Sequence, residues 1–345
     1  MSDISKRRSA IMGFSTLLIW YLHAGSAFFS KAPEFLRITE NYIGRMGIIG
    51  VDIFLFLSGF GLFYSMAGQM EKGGLSAQYC LSFYRRRFMR IFEVFLPVSI
   101  IIAFLDGWSF TEFLSNVSGW TAISSNVYVH LWYIWCILLF YLLFPLMFIC
   151  LMKTQHKALS LGAVIAAEIV LMFACRGFVR EDFYIILTRL PIFELGIYFA
   201  YLHRSGTFSP RLVWPAAMTA MLIGIVYTFL LLEKDLPVIL HSQTALGNIL
   251  VTPGLVMLLA WLFSKLNDEN ILLRILNFYG MISLEFYCWH EFIDIKVVEL
   301  IQLEGAKGNL LADFVSIGLS TLLSWLTHLC VKKVRMLSEK KKVAV

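Results

Sequence analysis

GVDIFLFLSGFGLFYSM, residues 50–66, decides the fold. A bilayer crossing takes roughly 20 mostly apolar residues in a helix, and this run with its flanks meets that requirement. Two features are out of place in lipid. Asp52 sits near one end, and Ser58 and Gly59 interrupt the middle. A carboxylate in hydrocarbon is costly unless it faces a partner or water, so the segment reads as a membrane helix with one face turned inward.

Comparable runs recur along the whole chain of 345 residues. Hydrophobic residues make up 59% and charged residues 15%, which leaves too little polar surface for a soluble protein of this length. The expected fold is all-α, a polytopic membrane helix bundle of about ten spans in a single domain over residues 1–345. The spans are placed at 10–29, 47–66, 88–105, 131–151, 158–174, 183–202, 211–232, 245–263, 278–300 and 310–331. Lys6, Arg7 and Arg8 ahead of the first run imitate a signal peptide, but the run exceeds a usual h-region and is read as a retained helix.

The net charge of +6 matters through its placement. With ten alternating spans and a cytoplasmic N-terminus, 20 Lys and Arg residues fall on the inside and seven outside. The positive-inside rule therefore puts both termini in the cytoplasm. The basic residues are orientation signals at span ends, not a nucleic-acid patch. The six cysteines form no CxxC pair and are read as small apolar fillers, with no metal site and no disulfide framework.

Polar groups inside the spans are the candidate functional residues: His23, Asp52, His130, Arg189, Glu194, Glu285, His290 and Asp294. His23 lies about 9 Å from the outer end of its span at 1.5 Å per residue, and Asp52, His130, Arg189 and His290 fall near the same level. Ser283, Tyr287, His290 and Asp294 share one helical face by their spacing. Interhelical hydrogen bonding would use the same residues. His23 is the natural general base for a hydroxyl, with Asp52 or Glu285 as orienting groups and Arg189 or Tyr287 as oxyanion donors. Arg85, Arg86, Arg87 and Arg90 form a second constellation. It suits a phosphate-bearing ligand, and it also suits a topology anchor on anionic membrane lipids.

These stretches resemble the membrane acyltransferase family 3. The resemblance rests on LIWYLH (18–23), GVDIFLFLSGF (50–60), FYRRRFMRI (83–91), HLWYIWCILLFYLLFPL (130–146) and SLEFYCWH (283–290), in family order. It implies an acyl-CoA-dependent transferase in a bacterial plasma membrane. Such an enzyme moves an acyl group, commonly acetyl from acetyl-CoA, to a hydroxyl of an envelope glycan or lipid-linked sugar, with no tightly bound cofactor. It makes His23 the essential histidine and gives the arginine cluster to the CoA end. Ser58 and its motif would line the acyl path, and His130 and Trp132 stand at the acceptor side. Many members carry a basic residue eleven positions before the histidine. Here that position is Met12, and Arg8, one turn earlier on nearly the same face, is the candidate substitute. Two other classes suit the same spans: a glycan or lipid flippase, and a sensor or scaffold with a degenerate acyltransferase body.

Overall fold

A computed structural model describes residues 2–24, 33–121, 131–175, 178, 181–233, 240–301 and 310–343. Its regular structure is helical throughout the described residues. In chain order the helices are α1 (Ser2–Ala24), α2 (Glu34–Arg45), α3 (Ile49–Gly73), α4 (Ala77–Leu105), α5 (Phe110–Ser118), α6 (Trp132–Lys153), α7 (Lys157–Cys175), α8 (Glu181–Leu187), α9 (Leu190–Arg204), α10 (Pro210–Glu233), α11 (Leu240–Ser264), α12 (Ile271–Met281), α13 (Ser283–Ile301) and α14 (Leu310–Val343).

Among the described residues, eight helical segments are long and apolar enough to cross a membrane, and a ninth arises if α12 and α13 are taken as one bent span. The expected first span is α1, whose described part carries Lys6, Arg7 and Arg8 in its first turns and ends at Ala24, leaving too short an apolar run to pass alone. The expected straight span at 278–300 is instead two helices meeting at 81° around Ile282. The expected span at 183–202 passes as one crossing, Phe183–Arg204, with a local interruption of its helix. Thr188 and Arg189 separate α8 from α9, because Pro191 lacks an N–H and disfavours helical geometry just before it. Arg189 becomes the N-cap of α9, its carbonyl accepting from the Phe193 N–H at 3.4 Å.

α3 is the central post. Of its apolar window 78% is buried, against 6% for α7, which places α7 at the rim. Apolar burial does not drive helix association in lipid, so close backbone approach through small residues has to supply the packing. α3 and α9 show this. A Cβ on Gly59 would stand 2.3 Å from the Phe193 carbonyl oxygen, and one on Gly196 would stand 2.1 Å from that of Phe56. Gly59 in the opening stretch is thus the crossing point of two helices.

α4 begins eleven residues before the expected span. Ser76 caps it, accepting a hydrogen bond from the Tyr79 N–H at 3.1 Å. Arg85 to Arg90 therefore lie within a continuous helix; Arg85, Arg86 and Arg87 point 100° apart in turn, and Arg90 returns to within about 60° of Arg87.

Candidate active site

The arginine end of the bundle comes first in the chain. Arg8 projects from α1 against α3, its guanidinium 3.2 Å from where a Cβ on Gly61 would be. Any larger residue at 61 would displace it. Its electrostatic neighbours are Arg87 and Arg90 of α4 and the hydroxyls of Tyr141 and Tyr133 on α6. Arg8 Nε is buried and meets no hydrogen-bond partner among the described residues. Guanidiniums repel one another unless an anion lies between them, so an anion among Arg8, Arg87 and Arg90 would relieve that repulsion. The four-arginine motif divides: Arg85, Arg86 and Arg90 are exposed, and Arg86 lies over the Tyr79 ring at 5.7 Å, while Arg87 is half-buried over Phe83 at 5.8 Å.

Arg7 turns the other way. It donates to Asp268 and, at 3.0 Å, to the Leu266 carbonyl, tying α1 to the turn between α11 and α12. That bond, helped by the charges of Arg7 and Lys6, holds the Asp268 carboxyl below its ordinary range.

His23 lies fifteen residues along α1 from Arg8, about 22 Å at 1.5 Å per residue. Its Nδ1 stands 3.8 Å from Glu291 Oε1 of α13. Its ring meets that of His290 edge to face, with centroids 5.2 Å apart. Two imidazoles and a carboxylate thus meet where α1 crosses α13. Beside them is a cavity of about 10 Å³, walled by Thr16, Ile19, Phe54, Ser283, Phe286, Tyr287 and His290. Three of the four residues on the stripe expected from sequence, Ser283, Tyr287 and His290, face this one space. The fourth, Asp294, accepts a hydrogen bond from Ser316 of α14 at 3.0 Å.

The structure separates two residues that depth had grouped with His23. Asp52 and Arg189 answer each other: Arg189 Nη1 donates to Asp52 Oδ2 at 3.2 Å, and Asn248 Nδ2 donates to the same oxygen at 2.6 Å. Both charged residues are buried, at 0% and 1% exposure. Asp52 thus binds α3 to α9 and α11. Glu285 also has its own partner, His328 Nδ1 of α14 at 2.9 Å. The Tyr287 hydroxyl accepts the Tyr133 N–H at 3.3 Å. Trp132 is buried in the core and Ser58 is half-buried on α3. His130 lies outside the described residues.

Sequence reasoning passed over Glu291 and Asn248. Glu291 follows His290 directly and was off the stripe. Asn248 is an amide inside an apolar run, and that polarity was the available signal.

A family model described as an acyltransferase domain, Acyl_transf_3, matches residues 11–329. The chain belongs to this acyltransferase family. The match takes in nearly the whole bundle, from the middle of α1 into α14, so the acyltransferase is a membrane protein whose helices themselves constitute the matched domain. No curated protein and no solved structure matches the sequence. The match takes in both His23 and the α4 arginines, while Arg8 falls three residues before it begins.

Proposed function

We propose that this acyltransferase uses cytosolic acyl-CoA, acetyl-CoA in the first instance, and acylates a hydroxyl of an envelope glycan on the other side of the membrane. The observation that carries the reading is that one helix, α1, joins the two stations. Arg8 stands in the arginine set, and His23 stands beside Glu291 and His290. The phosphates of the donor bind at Arg8, Arg87 and Arg90, where forked donors suit phosphate oxygens. The thioester end then extends along α1 toward His23.

There the Glu291 carboxylate lies 3.8 Å from His23 Nδ1, close enough to favour a proton on that nitrogen electrostatically and so to make Nε2 the basic one. Nε2 takes the proton of the acceptor hydroxyl while the oxygen attacks the thioester carbon. The C–S bond of the tetrahedral intermediate breaks, and the imidazolium returns the proton to the thiolate, giving an ester and free CoA thiol. Both termini in the cytoplasm and an inner-membrane location belong to the same reading. The orientation follows from the charge bias of the loops, and the inner-membrane location from the resemblance to the family.

The test is made in the native host. The gene is deleted and restored as the unaltered protein or as His23→Ala at equal membrane abundance. Base-labile acyl groups are then released from the envelope and identified. Esters that vanish on deletion, return with the unaltered protein and stay absent with His23→Ala are the expected result and name the acyl group. Ester content unchanged in every strain refutes the assignment.

A further inference from the structure

His290 has a use beyond packing against His23. Its Nδ1 stands 2.9 Å from the Tyr287 carbonyl oxygen and 3.2 Å from that of Phe286. Carbonyl oxygens only accept hydrogen bonds, so Nδ1 must carry the ring proton, and Nε2 of the neutral ring is a bare acceptor. That atom is buried and meets no donor among the described residues, in a residue 1% exposed. His290 also walls the cavity of about 10 Å³, which has room for one oxygen-sized group. Thr16, Ser283 and Tyr287 also line it, but its wall is mainly apolar, so a single polar atom, not a set of them, has to recognise what enters. Thr16 spends its own proton on the Met12 carbonyl at 3.0 Å, so its oxygen too can only accept from a further group. The chemistry asked for is an O–H donor of one-atom size at His290, whose ring packs against that of His23.

We propose that His290 accepts a hydrogen bond from a second hydroxyl of the acceptor, beside the one that His23 deprotonates, so that the acyltransferase selects a polyol with neighbouring hydroxyls, such as a sugar, over an isolated alcohol. The inference rests on the acyl-transfer reading above and specifies its acceptor. His290 is a positioning residue: it fixes which oxygen lies against His23 and takes no proton in the reaction. A site built to hydrogen-bond a hydroxyl discriminates against an analogue lacking it, because its buried polar atom is then left unpaired.

The experiment uses the purified full chain in lipid nanodiscs with labelled acetyl-CoA and a panel of methyl glycosides. Each glycoside is paired with the monodeoxy sugar that lacks the hydroxyl next to the acylated one. The proteins are the unaltered chain, His290→Ala and His290→Gln, whose side-chain oxygen can also accept. Expected is a preference for the paired hydroxyls of about tenfold in kcat/KM, the order of one neutral hydrogen bond. His290→Ala should lose that preference mainly through a higher KM for the intact sugar, and His290→Gln should recover part of it. No preference in the unaltered chain, or a preference retained in His290→Ala, overturns the assignment. So does an equal fall in kcat for both members of each pair, the mark of a resident water at Nε2. Transfer to no member of the panel, by a protein whose deletion removes envelope esters, overturns it as well. If deletion leaves those esters unchanged, the acyl-transfer reading fails first.

Discussion

Replacing Asp52 by Asn tests whether this carboxylate serves architecture or chemistry. The change keeps the shape and removes the charge, which leaves the Arg189 guanidinium buried without its counter-ion. At the observed 3.2 Å and an effective dielectric constant of about 20, the pair's Coulomb energy is about 5 kcal/mol. Measured losses on breaking a buried pair from one side run at about 3–5 kcal/mol. Asp52→Asn and Arg189→Met should each lower stability by that amount. The double variant Asp52→Asn with Arg189→Met should recover most of the loss, since removing both charges together is often near neutral and the amide oxygen placed at position 52 can still accept from Asn248. The assay is unfolding by denaturing detergent in mixed micelles, arranged as a double-mutant cycle, with acyl transfer measured in parallel. A double variant as unstable as either single one would refute the pairing argument. A fully stable Asp52→Asn protein without transfer activity would move Asp52 from the framework to the reaction.

Three further outcomes follow from the geometry. Arg8→Ala and Arg87→Ala should each raise KM for the acyl-CoA donor by roughly tenfold to a hundredfold, the range of one charge-assisted hydrogen bond, with a smaller change in kcat; initial rates over a donor series decide it. The Asp268 carboxyl is held below its ordinary range by Arg7, so its contribution is complete above the usual aspartate pKa of about 3.9 and fades as pH falls through the lowered value. Asp268→Asn should therefore lower the melting temperature at pH 7 and not at the acid end of a thermal series. Gly59→Leu or Gly196→Leu would place side-chain atoms into the facing backbone of α9 or α3, and should yield a protein that fails to run as a single species in size exclusion.

The fold class was legible because hydropathy over some twenty residues is a strong local signal, and the all-α bundle needs nothing more. The bend at Ile282 was not, since a hydropathy window merges the end of α12 with the start of α13 and sees one run. Depth could be read by counting residues from a span end, and that count set Asp52 and His23 at one level. Azimuth could not. Which way Asp52 points depends on the neighbour that α3 packs against, and Gly59 and Gly196 place α9 there, bringing Arg189 within reach. The stripe on α13 was readable because 283, 287 and 290 share a face within one helix. Glu291 was missed for the complementary reason: it lies 100° from His290, and only the position of α1 reveals that His23 meets that side.

α1 also acts as a gauge. Because Arg8 and His23 are set on the same unbroken helix, the gap between a docked phosphate and the base is a fixed number of residues. In a transferase of the proposed kind, this rod measures the donor's arm. A donor whose thioester stops short of His23 is bound without reacting, and one that overshoots presents the wrong carbon. Four residues inserted into α1 would lengthen the rod by about 6 Å while keeping its faces nearly in phase, giving an enzyme that holds its donor and cannot use it.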